Sequence, residues 1–314
     1  MNIVVTGAAG FIGSNLTKSL ALAGHNVLGI DALIDTTYSK EVKKLRWSGL
    51  MAINNVKLKH LDMRYESCEP FLDGVEVIFN LAAMPGLVDS WVDFDLYLSC
   101  NVTATQRLLK AISNLGGGVK LIHISTSSVY GKVANGNEES EKSPFSPYGV
   151  TKLAAENLIQ AYSANLGFNY NILRYFSVYG PGQRNDMAYS KFIQAIYFDK
   201  TIDIYGDGKQ SRTNTYIDDC VEATIAVMNQ GKNQNIYNIA GIEAIDLLNS
   251  IKIIEEIMGK KAHLNFLPAR NGDQLLTNGD ATKLFKDTNY VAKTKLMEGL
   301  KRQVEYFLAN LKIV

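Results

Sequence analysis

Met1-Asn2-Ile3-Val4-Val5-Thr6-Gly7-Ala8-Ala9-Gly10-Phe11-Ile12-Gly13-Ser14-Asn15-Leu16 opens the chain, and its reading decides the fold. Ile3–Val5 is a run of apolar residues without period-2 alternation, the mark of a parallel strand covered on both faces. It leads into glycines at Gly7, Gly10 and Gly13, spaced G-x-x-G-x-x-G, and then into a segment of helical period, Phe11–Ala23. Gly7 permits a tight turn, Gly10 lets the backbone approach a pyrophosphate, and Gly13 lets the helix pack on the strand. The anion then lies on the unpaired N–H groups of the helix start. A glycine triplet alone is a mere turn. Here it follows the first strand, precedes a helix, and is followed 18 residues after Gly13 by Asp31 at the end of a second strand. A carboxylate at that point binds the adenosine ribose hydroxyls and repels a 2′-phosphate, which favours NAD over NADP. Asp62, ending a third strand, is placed to take the adenine amine.

Outward from this start, short apolar runs alternate with helical segments. The expected strands are Ile3–Val5, Asn26–Ile30, Val56–Leu61, Val75–Asn80, Val119–Ser125 and Asn169–Tyr175. The expected helices are Phe11–Ala23, Lys40–Ile53, Leu96–Leu115 and Tyr148–Asn165. Repeated β-α-β units give an α/β fold with a doubly wound parallel sheet, the Rossmann arrangement. After Arg174 the pattern loosens into helix Ala188–Phe198, strand Ile202–Tyr205, a turn at Gly206–Gly208, a short strand near Asn214–Ile217, helix Asp219–Val227 and strand Ile236–Ile239. Two or three helices and one strand follow, ending in an amphipathic helix, Met297–Leu311. The expected domains are interleaved. A dinucleotide-binding domain takes residues 1–173 and about 213–240, and a smaller substrate-binding domain takes about 174–212 and 241–314.

Composition narrows the function. With 46% hydrophobic and 20% charged residues the chain can build a large core, so disorder and coiled coil are excluded. Lys+Arg 32 against Asp+Glu 31 gives a net charge of +1, a poor balance for nucleic acid or a membrane surface. Cys68, Cys100 and Cys220 are scattered, so neither a disulfide framework nor a zinc site is expected. His25, His60, His123 and His263 have no metal spacing, and packing or surface roles are expected for each. With no basic leader and no long apolar span, a cytoplasmic location is expected.

Ser125-Thr126-Ser127-Ser128-Val129-Tyr130-Gly131 follows the fifth strand, and Tyr148-Gly149-Val150-Thr151-Lys152 opens a helix further on. The i, i+4 spacing puts Tyr148 and Lys152 on one helical face. A phenol with a pKa of ~10 is a poor base at neutral pH. A lysine ammonium and a positive nicotinamide ring favour its phenolate, and a neighbouring Thr or Ser hydroxyl can share the proton.

Taken together, these features resemble the extended short-chain dehydrogenases/reductases of the sugar-nucleotide epimerase/dehydratase family, from Thr6 to the helix at Gly299–Phe307. The resemblance implies that Phe11 and Ile12 meet the pyrophosphate, that Met63 joins Asp62 at the cofactor, and that Leu81-Ala82-Ala83 lines it. It places Asn101 near the nicotinamide side, Lys152 on its ribose and Phe176 beside the ring. Tyr148 is then the catalytic base and Thr126 its hydroxyl partner. Family dimers pair the helices Leu96–Leu115 and Tyr148–Asn165, which implies a homodimer.

The family's 4,6-dehydratases carry Asp-Glu in the two positions after the threonine, and its decarboxylases a Glu in the second. Ser127 and Ser128 stand there, which disfavours both reactions and leaves oxidation at C4 with reduction from the other face. Arg174-Tyr175-Phe176-Ser177-Val178-Tyr179-Gly180-Pro181-Gly182-Gln183-Arg184-Asn185-Asp186-Met187-Ala188 resembles the corresponding segment of UDP-glucuronate 4-epimerases. Ile202–Arg212, with Tyr205, resembles the family's uridine-contacting stretch. Arg212 and Arg270, the latter in Arg270-Asn271-Gly272-Asp273, are the implied diphosphate clamp, with Asp273 beside it, because guanidinium forks match paired phosphate oxygens. Thr126, Ser127, Ser177 and Arg184 would hold a sugar carboxylate. Val88 stands where the family often has Arg. The implied activity is NAD-dependent 4-epimerisation of a UDP-sugar, UDP-glucuronate to UDP-galacturonate first. A UDP-glucose/UDP-galactose 4-epimerase and a non-catalytic NAD-binding regulator on the same fold are the alternatives.

Overall fold

A computed structural model gives the fold and describes residues 1–35, 40–116, 118–269 and 276–311. Seven strands form the central sheet: β1 (Asn2–Thr6), β2 (Asn26–Asp31), β3 (Val56–His60), β4 (Val77–Asn80), β5 (Lys120–Thr126), β6 (Asn169–Tyr175) and β7 (Asn235–Ile239). All pairings are parallel and the order is β7-β6-β5-β4-β1-β2-β3, winding outward in both directions from β1. Sequence and sheet agree here for a simple reason. Ile3 and Val5 face one core and Val4 the other, and all three are buried. A strand with two cores has no polar face, so its sequence does not alternate.

Helix α1 (Phe11–Leu22) covers the first face with Leu16 and Leu20, joined by Cys220 and Val221 of helix Ile217–Gln230. The opposite face is covered by α3 (Ala104–Asn114), through Leu108, Leu109 and Ile112, and by α4 (Pro147–Leu166), through Ile159. Between β2 and β3 lies α2 (Lys40–Met51). The single helix expected over Leu96–Leu115 is a composite. An α-helical turn, Phe94–Leu98, passes through a π-helical stretch, Ser99–Thr103, into α3. The π-bulge carries Asn101, whose side chain makes three hydrogen bonds away from its own helix.

The later part departs from expectation in two places. The single short strand near Asn214–Ile217 is two strands, Ser211–Thr213 and Thr215–Tyr216, and the helix after it already starts at Ile217. The one strand expected after β7 is three: Ala244–Asp246, His263–Leu267 and Leu276–Gly279. Ala244–Asp246, Ser211–Thr213, Leu276–Gly279 and Val133–Gly136 make a small four-stranded sheet, and His263–Leu267 pairs in parallel with Thr201–Tyr205. These strands hold three to five residues each, too short to show a period.

Candidate active site

The C-terminal end of the central sheet opens on a cavity of about 690 Å³. At one end lies the loop after β1. Gly7 has φ +71°, and a Cβ there would stand 2.9 Å from the backbone of Leu81 and Ala82. A Cβ on Gly13 would come within 2.1 Å of the Gly7 carbonyl oxygen, so the helix closes on the turn only because that position is glycine. Gly10 caps α1 without a side chain, and the first turn holds no acid. The unpaired N–H groups and the positive end of the helix at Phe11, Ile12 and Gly13 are therefore offered to an anion at the cavity wall. Asp31 is aimed by two backbone donors, Ala9 N–H at 3.0 Å and Leu33 N–H at 2.8 Å. A glycine cradle and a fixed carboxylate at this spacing fit a dinucleotide's pyrophosphate and ribose.

Asp62 and Met63 line the same end. The Asp62 carboxylate is already gripped by Arg64, with Nη2 at 2.6 Å and Nε at 3.0 Å. Burial pushes its pKa up, and the Arg64 hydrogen bonds outweigh burial and hold it below the usual range. Any contact with an adenine amine is thus made by an ion pair rather than by a lone acid. Sequence reasoning missed Lys43 on α2. It is buried on the cavity wall, its Nζ donates to the Ile34 carbonyl at 2.8 Å, and burial lowers its pKa against the pull of Asp31.

Thr126, Ser127, Tyr148 and Lys152 meet at the middle of the cavity. Thr126 ends β5 and caps the 3₁₀ turn Ser127–Tyr130, its Oγ1 accepting the Ser128 N–H at 3.1 Å. Helix α4 begins with Ser146 as N-cap, Oγ accepting from Gly149 N–H at 3.1 Å, and with Pro147 in the first turn. That start sets where Tyr148 and Lys152 project. Tyr97, fully buried, packs edge-on against the Tyr148 ring at 6.2 Å between centroids, and its hydroxyl donates to the Pro85 carbonyl at 2.8 Å.

Burial raises the Tyr148 pKa, and the Thr126 hydroxyl and the Arg184 guanidinium act to lower it. Lys152 Nζ lies 2.5 Å from the Ile124 carbonyl and 3.4 Å from His123 Nε2, and burial lowers its own pKa to about 8. Asn101 is fully buried, its Oδ1 accepting Met84 N–H at 2.7 Å and its Nδ2 donating to Thr151 Oγ1 at 3.0 Å. It ties the loop after β4 to the catalytic-face helix.

Leu81, Ala82, Ala83, Phe176, Ser177, Arg184, Met187, Ala188 and Arg212 complete the wall. Arg184 is engaged by Asp186, with Nε at 2.8 Å and Nη2 at 2.6 Å. Tyr205 is partly buried and is not on the cavity wall. Arg270 and Asp273 lie outside the described residues. Lys191 and Asn214 also line the far end and were not foreseen. Lys191 stands three residues after Ala188 on helix Ala188–Tyr197, the spacing that puts both on one face.

Comparison with known proteins agrees with this geometry. Residues 3–240 match the signature of the NAD dependent epimerase/dehydratase family. The chain is 41% identical over 313 residues to an uncharacterized UDP-glucose epimerase, YtcB, of Bacillus subtilis strain 168, covering 98% of each sequence. It is 34% identical to the UDP-glucuronate 4-epimerase of Thermodesulfobacterium geofontis, covering 99% of this chain and 97% of that one. The crystal structure of UDP-glucuronic acid 4-epimerase from Bacillus cereus in complex with UDP-glucuronic acid and NAD superposes with a TM-score of 0.94 at 39% identity, covering 98% of this chain and 99% of that one.

Proposed function

The chain belongs to the NAD-dependent epimerase/dehydratase family, and from that premise we propose that it interconverts UDP-glucuronate and UDP-galacturonate at C4. One observation carries the choice of sugar. The guanidinium of Arg184, bound to Asp186, lines the same cavity as Tyr148, where it opposes the rise that burial gives the phenol's pKa, and the two positions after Thr126 on the wall are Ser127 and Ser128. A cation close to the group that deprotonates C4 suits a sugar with a carboxylate on the adjacent carbon, and it favours the phenolate as well.

The glycine turn and Asp31 would hold NAD, which would supply hydride acceptance and donation when bound. The protein's share is proton handling and orientation. Tyr148 takes the C4 hydroxyl proton and Thr126 shares it through its hydroxyl. Arg212 holds the diphosphate, joined in this proposal by Arg270, while the 4-keto sugar turns about its bond to that diphosphate. Thr126, Ser127, Ser177 and Arg184 hold the carboxylate. They keep its charge from flowing into the ring, which would release CO2 from a β-keto acid.

The test is to incubate the protein with UDP-glucuronate and with UDP-glucose in parallel and follow the sugars by NMR. UDP-galacturonate without CO2 is the expected product; turnover of UDP-glucose alone overturns the assignment. That second reading, a UDP-glucose 4-epimerase, has one observation in its favour: Val88, at the cavity and 51% exposed, is apolar where the family often has Arg.

The domain division at about residues 174–212 and 241–314, and a homodimer built on α4 and the composite helix that runs from Phe94 through α3, belong to the same proposal. Exposed Phe94, Leu98 and Val150 on these elements support an apolar contact. Among the described residues no helix is long and apolar enough to cross a membrane.

A further inference from the structure

Helix Leu296–Ala309 lays an apolar stripe on the core through Leu296, Leu300, Val304 and Phe307, with Gly299 on the same face, where a Cβ would run into the Tyr179 hydroxyl. In the middle of that stripe sits Gln303, 3% exposed. A buried amide has lost its water and is compensated only by the hydrogen bonds it makes. Those of Gln303 all go to one stretch of chain, 113 to 123 residues earlier. Its Oε1 accepts the Gly180 N–H at 3.1 Å, and its Nε2 lies 2.9 Å from Gln183 Oε1 and 3.2 Å from Ser190 Oγ. The main chain sets the orientation of both amides. A backbone N–H only donates, so the end of Gln303 at Gly180 is its oxygen. The Val178 carbonyl only accepts, so the end of Gln183 that lies 3.0 Å from it is the nitrogen. Gln303 Nε2 therefore donates to Gln183 Oε1. The Gln183 N–H closes the turn on the Gly180 carbonyl at 3.0 Å. Gly180, at φ +135°, stands just past the two-residue strand Val178–Tyr179, and its N–H goes to Gln303 rather than to a strand neighbour.

We propose that Gln303 is a positioning residue for Arg184: from helix Leu296–Ala309 it locks the turn Gly180–Gln183 and so fixes the wall segment that carries Gln183, Arg184, Met187 and Ala188 at the cavity. A leucine in its place would continue the stripe with no polar group to desolvate. What the amide adds is register, because a fully satisfied buried polar cluster forms in only one placement of its parts. Arg184 directly follows the turn, and its guanidinium is bound by Asp186 two residues on, so the pair moves with the turn. The service of that cation to a sugar carboxylate rests on the epimerase reading; the ordering of the segment does not.

Hydrogen exchange on the NAD-free protein tests the ordering. Gln303→Met keeps the length of the side chain and removes the amide. Exchange in a peptide spanning residues 178–187 should quicken by about tenfold, while a peptide spanning the glycine turn exchanges as before. Val304→Ala is the comparison: Val304 is buried next along the helix, so its truncation weakens the packing without touching the turn. An unchanged 178–187 peptide in Gln303→Met, or one that Val304→Ala quickens as much, makes Gln303 a packing residue and overturns the proposal. Where Gln303→Met does not fold, Gln183→Met breaks the same bond from the side of the turn and is held to the same result. Calorimetric titration with NAD and then with UDP-glucuronate reads the consequence. In Gln303→Met the dissociation constant for UDP-glucuronate should rise by about tenfold, with NAD affinity unchanged and Val304→Ala like the unaltered protein. Faster exchange with unaltered affinity overturns the link to Arg184. An unaltered protein that binds no UDP-glucuronate overturns the epimerase reading instead, and the exchange result then decides this one.

Discussion

Tyr148 is the proposed base, and two expectations follow from its surroundings. Tyr148→Phe removes the proton acceptor without emptying space, so turnover should fall by roughly 10²–10⁴-fold while NAD still binds. Steady-state assay and NAD recovered from the denatured variant check both halves. The second concerns pH. Burial raises the phenol's pKa, and Arg184 is one of the groups opposing it. A base works only when deprotonated, so kcat falls as pH drops through that pKa. Arg184→Gln removes a cation that favours phenolate, and the acid limb of the kcat profile should therefore move to higher pH. A limb left in place would show that the guanidinium does not act on the phenol. Tyr148, Thr126 and Lys152 were legible in the sequence because their order and spacing are local. The direction of the Lys152 ammonium was not, because it is fixed by His123 and the Ile124 carbonyl of β5, a strand that the helical spacing does not describe.

Among the elements, α1 and α4 carry the site, and each has one residue that fixes its start. Gly13→Ala puts a carbon 2.1 Å from the Gly7 carbonyl oxygen, so helix and turn must part. Overpacking of this kind costs about 1–3 kcal/mol, and NAD affinity should fall more than stability if the displaced N–H groups are, as proposed, the pyrophosphate's seat. Calorimetric titration with NAD beside a thermal melt separates the two. Ser146→Ala removes the cap of α4 and should cost about 1 kcal/mol in a denaturant titration. The seven main strands and the long helices were readable because two-sided burial and helical period each leave a pattern in the chain. The π-stretch at Ser99–Thr103 was not, since it is settled by Asn101 reaching across to Met84 and Thr151. Nor was the small four-stranded sheet, which joins four short segments brought together only when the chain has folded.

For the whole molecule, the question is how the dinucleotide end and the sugar end keep their spacing, and Arg46 gives an answer that no motif announced. It lies on α2. In the fold its Nη2 donates to the Gly182 carbonyl at 2.7 Å, across 136 residues of sequence, and its Nη1 lies 3.5 Å from the Ala9 carbonyl. Ala9 belongs to the glycine turn, and Gly182 opens the segment that leads to Arg184. One guanidinium therefore ties the glycine turn to the loop that leads to Arg184. A hydrogen bond to a charged group contributes about 1.5–3 kcal/mol, and 1.4 kcal/mol is a factor of ten in an equilibrium. Arg46→Ala should leave the glycine turn able to hold NAD, because Gly7, Gly13 and Asp31 are untouched. It should loosen the 182–184 segment, raising KM for the UDP-sugar about tenfold with a smaller change in kcat. Arg46→Lys, which keeps the charge but loses the fork, should recover only part of that loss. If both variants instead weaken NAD binding and leave KM unchanged, Arg46 serves the pyrophosphate loop alone and the tie to Gly182 has no functional weight.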